Sequence, residues 1–151
     1  KDELGCTPLM WACWNGHKDV VKLLLDHSDQ NIDLNAQANN GMTAFMKACQ
    51  GGHKDVVQLL LDHSERIELN ARANNEWTAF MHACRKGHKD VVQLLLDHSN
   101  EIELNARISN GMSPFMLACA EGHKDVVQLF LDHPDSNIEL LVQEIENVTM
   151  F

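Results

Sequence analysis

The chain has 151 residues and a mass of 17.0 kDa, a length that fits one domain. Its 44% hydrophobic and 23% charged residues are ordinary globular usage, which excludes a disordered tail, a collagen and a disulfide-dense knot. With 12 Lys and Arg against 22 Asp and Glu, the formal net charge is −10, so general binding to nucleic-acid phosphates is not expected and an anionic partner must meet a local basic patch.

No apolar run is long enough to span a membrane. Lys1-Asp2-Glu3-Leu4 spells an ER-retention tetrapeptide, a signal read only at a C-terminus. With no initiator Met and no separate polar cap at its start, the chain reads as an excised piece of a longer array.

One string, Gly-His-Lys-Asp-Val-Val, begins at Gly16, Gly52, Gly87 and Gly122, at spacings of 36, 35 and 35 residues. A period of this size predicts stacked units, each burying its apolar face against its neighbours. Every unit opens on a hydroxyl residue, at Thr7, Thr43, Thr78 and Ser113, suited to cap a helix. Pro8 and Pro114 follow at the first helical position, where no amide hydrogen is needed. This first helix is short and is expected to end at the four glycines.

A second helix is predicted over residues 18–27, 54–63, 89–98 and 124–133. Asp19, Asp55, Asp90 and Asp125 lie in its first turn, where an anion suits the helix dipole. Val56, Val57, Leu59, Leu60 and Leu61 form a band broad enough to be buried between two neighbours. A polar stretch follows through Asn35-Ala36, Asn70-Ala71 and Asn105-Ala106, and turns at Asn40-Gly41 and Asn110-Gly111. Ile138, Leu141, Ile145 and Val148 would share one face of a final helix, with Glu139, Glu144 and Glu146 facing water. A capping helix and a frayed tail both fit that segment.

A unit of turn, short helix, Gly-His, second helix and Asn-Ala resembles the ankyrin repeat. The resemblance covers residues 1–142 in four copies, at about 5–40, 41–75, 76–110 and 111–142, and leaves 143–151 as cap or tail. It implies an all-α solenoid of helix-turn-helix units joined by short hairpin-like loops. Two features depart from the family. The extra residues beyond its period of 33 fall after the second helix, as at Asp29-Gln30-Asn31-Ile32. The family's Thr-Pro-Leu-His becomes Thr-Pro-Leu-Met or Thr-Ala-Phe-Met, so Met10, Met46, Met81 and Met116 replace a polar bridge with apolar packing. By the same resemblance Asn35, Asn70 and Asn105 match a position open to asparaginyl hydroxylation; hydrogen bonding within the turn is the favoured role.

Cys13, Cys49, Cys84 and Cys119 share one phase. Packed helices lie about 8–10 Å apart and a disulfide needs Cα atoms within about 7 Å, so this column reads as reduced core thiols. Cys6 is off the column and is expected at the surface. Reduced thiols imply an intracellular, cytoplasmic setting and argue against use of the sequon Asn147-Val148-Thr149. Each Cys and the His four residues on are separated by a helix-ending Gly, so metal binding is not expected. His17, His53, His88 and His123 would brace the turn, and His27, His63, His98 and His133 suit a helix C-terminus. There is no phosphate loop, nucleophile elbow or zinc-protease motif. No catalytic residue, cofactor or metal is therefore assigned.

Residues 41–75 and 76–110 differ at nine of 35 positions. Most differences fall on the turn before the first helix and on the exposed side of that helix, surfaces that in the resembled family grip partners. The second helix barely differs. The expected groove carries Trp11 and Trp14, then Lys47 and Gln50, then His82, Arg85 and Lys86, then Leu117 and Glu121. The fingertips carry Cys6, Met42, Trp77 and Met112. Trp11 fits either the groove or a cover for the end of the stack. Trp and Arg are common interface anchors, so the expected function is a monomeric, non-enzymatic module. It would bind a protein segment with acidic residues and an apolar anchor, with no nucleic acid and no membrane. Near-identity between units also fits an engineered, consensus-like scaffold with no natural partner.

Overall fold

A computed structural model describes residues 1–28, 31–133, 143 and 146. Eight α-helices form among the described residues: α1 Pro8–Trp14, α2 Lys18–Asp26, α3 Ala44–Gly51, α4 Lys54–Leu61, α5 Ala79–Lys86, α6 Lys89–Asp97, α7 Pro114–Ala120 and α8 Lys124–Asp132. No strand forms among them. The odd helices stack in one row and the even helices in a second, and the odd row packs more closely. Its contact face is built from small residues, including Ala44, Ala48, Ala79, Ala83 and Ala118, all buried. Tighter spacing along one row curves the stack, with the odd helices on the concave side.

Local chemistry starts each first helix as the sequence predicts, while several helix ends differ. The hydroxyls of Thr7, Thr43, Thr78 and Ser113 accept the amides of Met10, Met46, Met81 and Met116 at 3.2–3.3 Å, satisfying an orphan donor at each start. Gly52 and Gly87 cap α3 and α5 in the left-handed conformation. In the outer units α1 ends at Trp14 and α7 at Ala120, two residues before their glycines. The second helices stop at Asp26, Leu61, Asp97 and Asp132, short of the predicted histidines. His27, His63 and His98 instead donate through Nδ1 to the carbonyls of Leu23, Leu59 and Leu94 at 2.8–2.9 Å, satisfying groups the helix leaves unpaired. The final helix expected over 138–148 lies outside the described residues, apart from Gln143 and Glu146, which are helical and exposed.

Three sets of contacts between units recur along the stack. The first is histidine: Nε2 of His53, His88 and His123 donates to the carbonyls of Trp14, Gln50 and Arg85 in the preceding unit, at 2.6–2.8 Å. The ring reaches that far because the preceding unit has glycine there; a Cβ on Gly52 would lie 2.6 Å from His88 Nδ1. The second is asparagine: Asn35 donates to the Arg66 carbonyl at 3.0 Å and accepts from the Glu68 amide at 2.8 Å. Asn70 repeats this with Glu101 and Glu103, so these side chains bond the following unit rather than their own turn, where the sequence placed their bonds. The third joins the hairpin-like loops, where Gln37 reaches the Arg72 carbonyl and Arg72 the Arg107 carbonyl.

The outer helices show which residues face which neighbour. Val56, Val91 and Val126 are buried against the preceding unit, whereas Val20, their counterpart in the first unit, is 46% exposed. Val21, Val57 and Val92 are fully buried against the following unit. The apolar band is thus split between two neighbours, as its breadth predicts.

Two burial expectations are corrected. Cys6, expected at the surface, is buried, because Asp2 folds the first loop over it: Asp2 Oδ1 accepts the Cys6 amide at 2.8 Å. Cys119, expected in the core column, is exposed, whereas Cys13, Cys49 and Cys84 are buried. Those three each have an inner helix of the following unit packed over them; Cys119 lies in the last described inner helix.

Candidate partner-binding groove

The exposed side of α1, α3, α5 and α7 forms the concave face. Trp14 on α1 is partly exposed and carries Lys47 of α3 over its ring, with Nζ 5.2 Å from the centroid. Arg85 on α5 lies over Trp77, its guanidinium carbon 5.3 Å from that centroid. Each cation is held on an aromatic face, which fixes a long side chain that otherwise samples many rotamers. Lys86 stands beside Arg85, exposed. Gln50 is half-buried and gives its carbonyl to His88. Across the next step Glu121 Oε1 lies 3.8 Å from Arg85 Nε, with both side chains about half exposed.

His82 forms part of the floor. It is 5% exposed, and its ring lies tilted at 45° against Trp77, with centroids 5.2 Å apart. Its Nε2 is buried with no hydrogen-bond partner among the described residues. Burial, then the charges of Arg85, Lys47 and Lys86, push its pKa down to about 4, so the ring is neutral at physiological pH. The positive charge of this face therefore comes from Lys47, Arg85 and Lys86.

At the first unit, Leu4, Cys6, Met10, Trp11, Trp14 and Lys47 line a hollow of about 100 Å³. Trp11 is 45% exposed, and its indole N–H donates to Asp2 Oδ2 at 2.8 Å. It is thus tied to the N-terminal loop while its ring borders the hollow. The Cys6 and Trp11 bonds hold the Asp2 carboxyl below its ordinary pKa. Sequence reasoning missed Asp2 because it has no counterpart in the other units.

The fingertip row is more buried than expected. Met42 and Cys6 are both 6% exposed and are corrected from exposed apolar tips to core residues beneath the loops. Trp77 and Met112 are half-buried. Leu117 is also buried, at 6%, and is corrected from groove surface to core. The structure thus brings Trp14, Lys47, Gln50, Trp77, His82, Arg85, Lys86 and Glu121 onto one face, with Trp11 at its end.

Among the described residues, no three of His, Cys, Asp and Glu form a group able to hold a metal ion, and no helix is long and apolar enough to cross a membrane.

A sequence profile for ankyrin repeats, in three copies, matches residues 1–73, 30–108 and 65–143. The chain belongs to the ankyrin-repeat family. Members are generally protein–protein interaction modules and typically not enzymes. Among curated proteins, osteoclast-stimulating factor 1 of Danio rerio is 56% identical over 36 residues, covering 24% of this chain and 16% of that protein. The chain therefore spans a small fraction of that relative's length, and the match is about one repeat long.

Proposed function

We propose that this chain binds a partner polypeptide along its concave groove, through Trp14, Lys47, Gln50, Trp77, Arg85 and Lys86, with Trp11 and Met112 at the margins. The observation that carries this reading is the pair of cations held on aromatic rings, Lys47 on Trp14 and Arg85 on Trp77. They form a local basic patch on a chain of net charge −10. The fitting partner is a segment with acidic residues and an apolar anchor, the anchor directed to the hollow beside Trp14. Four repeats over residues 1–142, acting as a monomer in an intracellular compartment, would offer about 1,600 Å² of total interface.

The test is affinity capture from lysate by the native chain beside a Trp14→Ala/Arg85→Glu/Lys86→Glu variant with a matched melting temperature. Capture by the native chain alone supports the groove. Equal capture by both removes the groove from the reading, as does capture by neither. Such results would favour the convex face or a scaffold without a natural ligand.

A further inference from the structure

The Arg85 guanidinium has one face on Trp77 and donates no hydrogen bond among the described residues. Its contact with Glu121, at 3.8 Å, is longer than the roughly 2.7–2.9 Å of a charge-assisted hydrogen bond. The fork is therefore oriented but not filled. Exposed ion pairs of this kind contribute little to stability, so the pair adds little to the fold and separates at little cost. Its position is also singular. The residues at the phase of Glu121 in the other units are Asn15, Gly51 and Lys86, so the fourth unit alone sets a carboxylate there. It stands beside the arginine, at the edge of the basic patch.

We infer that Glu121 is an internal stand-in for a partner's carboxylate: an Asp or Glu side chain of an extended segment displaces it from Arg85 and takes the open fork in bidentate fashion. This rests on the groove reading above and adds to it a ligand group, its receptor and a built-in competitor. The competitor raises the threshold for acidic segments, because each must replace an existing contact. Segments lacking an acid leave Glu121 in place and gain nothing from Arg85. Charge complementarity fixes the occupant: three cations, Lys47, Arg85 and Lys86, converge on a face where His82 is neutral.

The experiment uses displayed 12-residue peptides selected on the intact native chain, then synthesised with amidated C-termini so that only side chains carry carboxylates. Their affinities are measured for the native chain, Glu121→Gln, Arg85→Gln and Glu65→Gln. Glu65 is exposed on the turn after α4, and its variant changes the net charge as Glu121→Gln does. Selected peptides are expected to share an Asp or Glu. They should bind Glu121→Gln about 2–5-fold more tightly than the native chain, bind Arg85→Gln at least about 10-fold more weakly, and bind Glu65→Gln unchanged. Tighter binding to Glu65→Gln equal to that of Glu121→Gln would overturn the inference, since overall charge would then explain it. Acidic peptides that gain nothing from Glu121→Gln would overturn it too. Selected peptides without an acid would overturn the inference and leave the groove reading standing, whereas no selected peptide at all would remove both.

Discussion

His82 is a buried imidazole among three cations, and its protonation should cost the fold measurable stability. Its folded pKa is about 4, against about 6.5 for an unperturbed histidine. A group whose folded pKa is depressed contributes its full share above the unfolded value. That share is lost as pH falls through the window from 6.5 to 4, because the unfolded chain takes up the proton first. At 1.36 kcal/mol for each pH unit between the two values, the ceiling is about 3 kcal/mol. By the same linkage, about 2 kcal/mol disappears between pH 7.5 and pH 5. The comparison chain is His82→Leu, since the same phase in the fourth unit holds the buried Leu117. Urea unfolding at pH 7.5, 6 and 5, followed by tryptophan fluorescence and circular dichroism, reads the free energies. Carboxylate titrations common to both chains cancel in the difference. The native chain should lose about 2 kcal/mol more than the variant over that range. Equal losses would refute the assignment of a low pKa to His82.

Gly52→Ala and Gly122→Ala place a Cβ on backbones of nearly identical φ, +74° and +75°. At Gly52 that Cβ also strikes the His88 ring, while at Gly122 it meets nothing within 4 Å among the described residues. Both should cost the roughly 1 kcal/mol of a left-handed alanine, and Gly52→Ala should cost at least about 1 kcal/mol more, near the value of the displaced hydrogen bond. Equal destabilisation in thermal melts would count against the histidine latch. For the thiols, maleimide labelling of the native protein read by mass spectrometry should modify Cys119 first. Burial pushes the pKa of Cys13 up to about 12 and raises those of Cys49 and Cys84 well above the ordinary thiol value, so neither access nor thiolate is available there. Labelling of Cys49 as fast as Cys119 would contradict the buried column.

What was legible from sequence is what each unit does for itself. Threonine and serine caps, proline at the first helical position and glycine at the helix ends act within a few residues, so their pattern predicts their structure. What a unit does for its neighbour was legible only in part. Cys119 shares a phase with three buried cysteines and is exposed, because burial at that phase depends on what packs over the helix. Met42 lies in a loop, where helical periodicity does not report burial. The Lys47–Trp14 contact crosses from one unit to the next at phases that do not correspond, so aligning the repeats does not reveal it.

Six of the nine positions at which the second and third units differ can now be sorted by what their side chains hold. Arg66 donates to Ser28 Oγ, and Glu101 accepts from Ser64 Oγ at 3.0 Å. Glu76 accepts the Ser109 amide at 2.8 Å, and Asn74 donates to the Asn39 carbonyl at 2.9 Å. These differences outside the groove are parts of the joints between units, where each pair must suit its own neighbour. The outer helices stay the same for a related reason: Val56 and Val91 face one neighbour, Val57 and Val92 the other, and Gln58 and Gln93 bond Asp62 and Asp97. Stacking therefore accounts for that constancy, which by itself says nothing about binding. The pairs Lys47/His82, Gln50/Arg85 and Gly51/Lys86 are different. Arg85 and Lys86 project from the concave face, and the side-chain contacts they and Lys47 make lie on that face. His82 leaves a buried nitrogen unpaired among the described residues, a cost of about 1–3 kcal/mol by ordinary desolvation. A scaffold under selection for stability alone would have no reason to keep it. Variation on the concave face, in one case at the expense of stability, is the pattern a tuned binding face would leave.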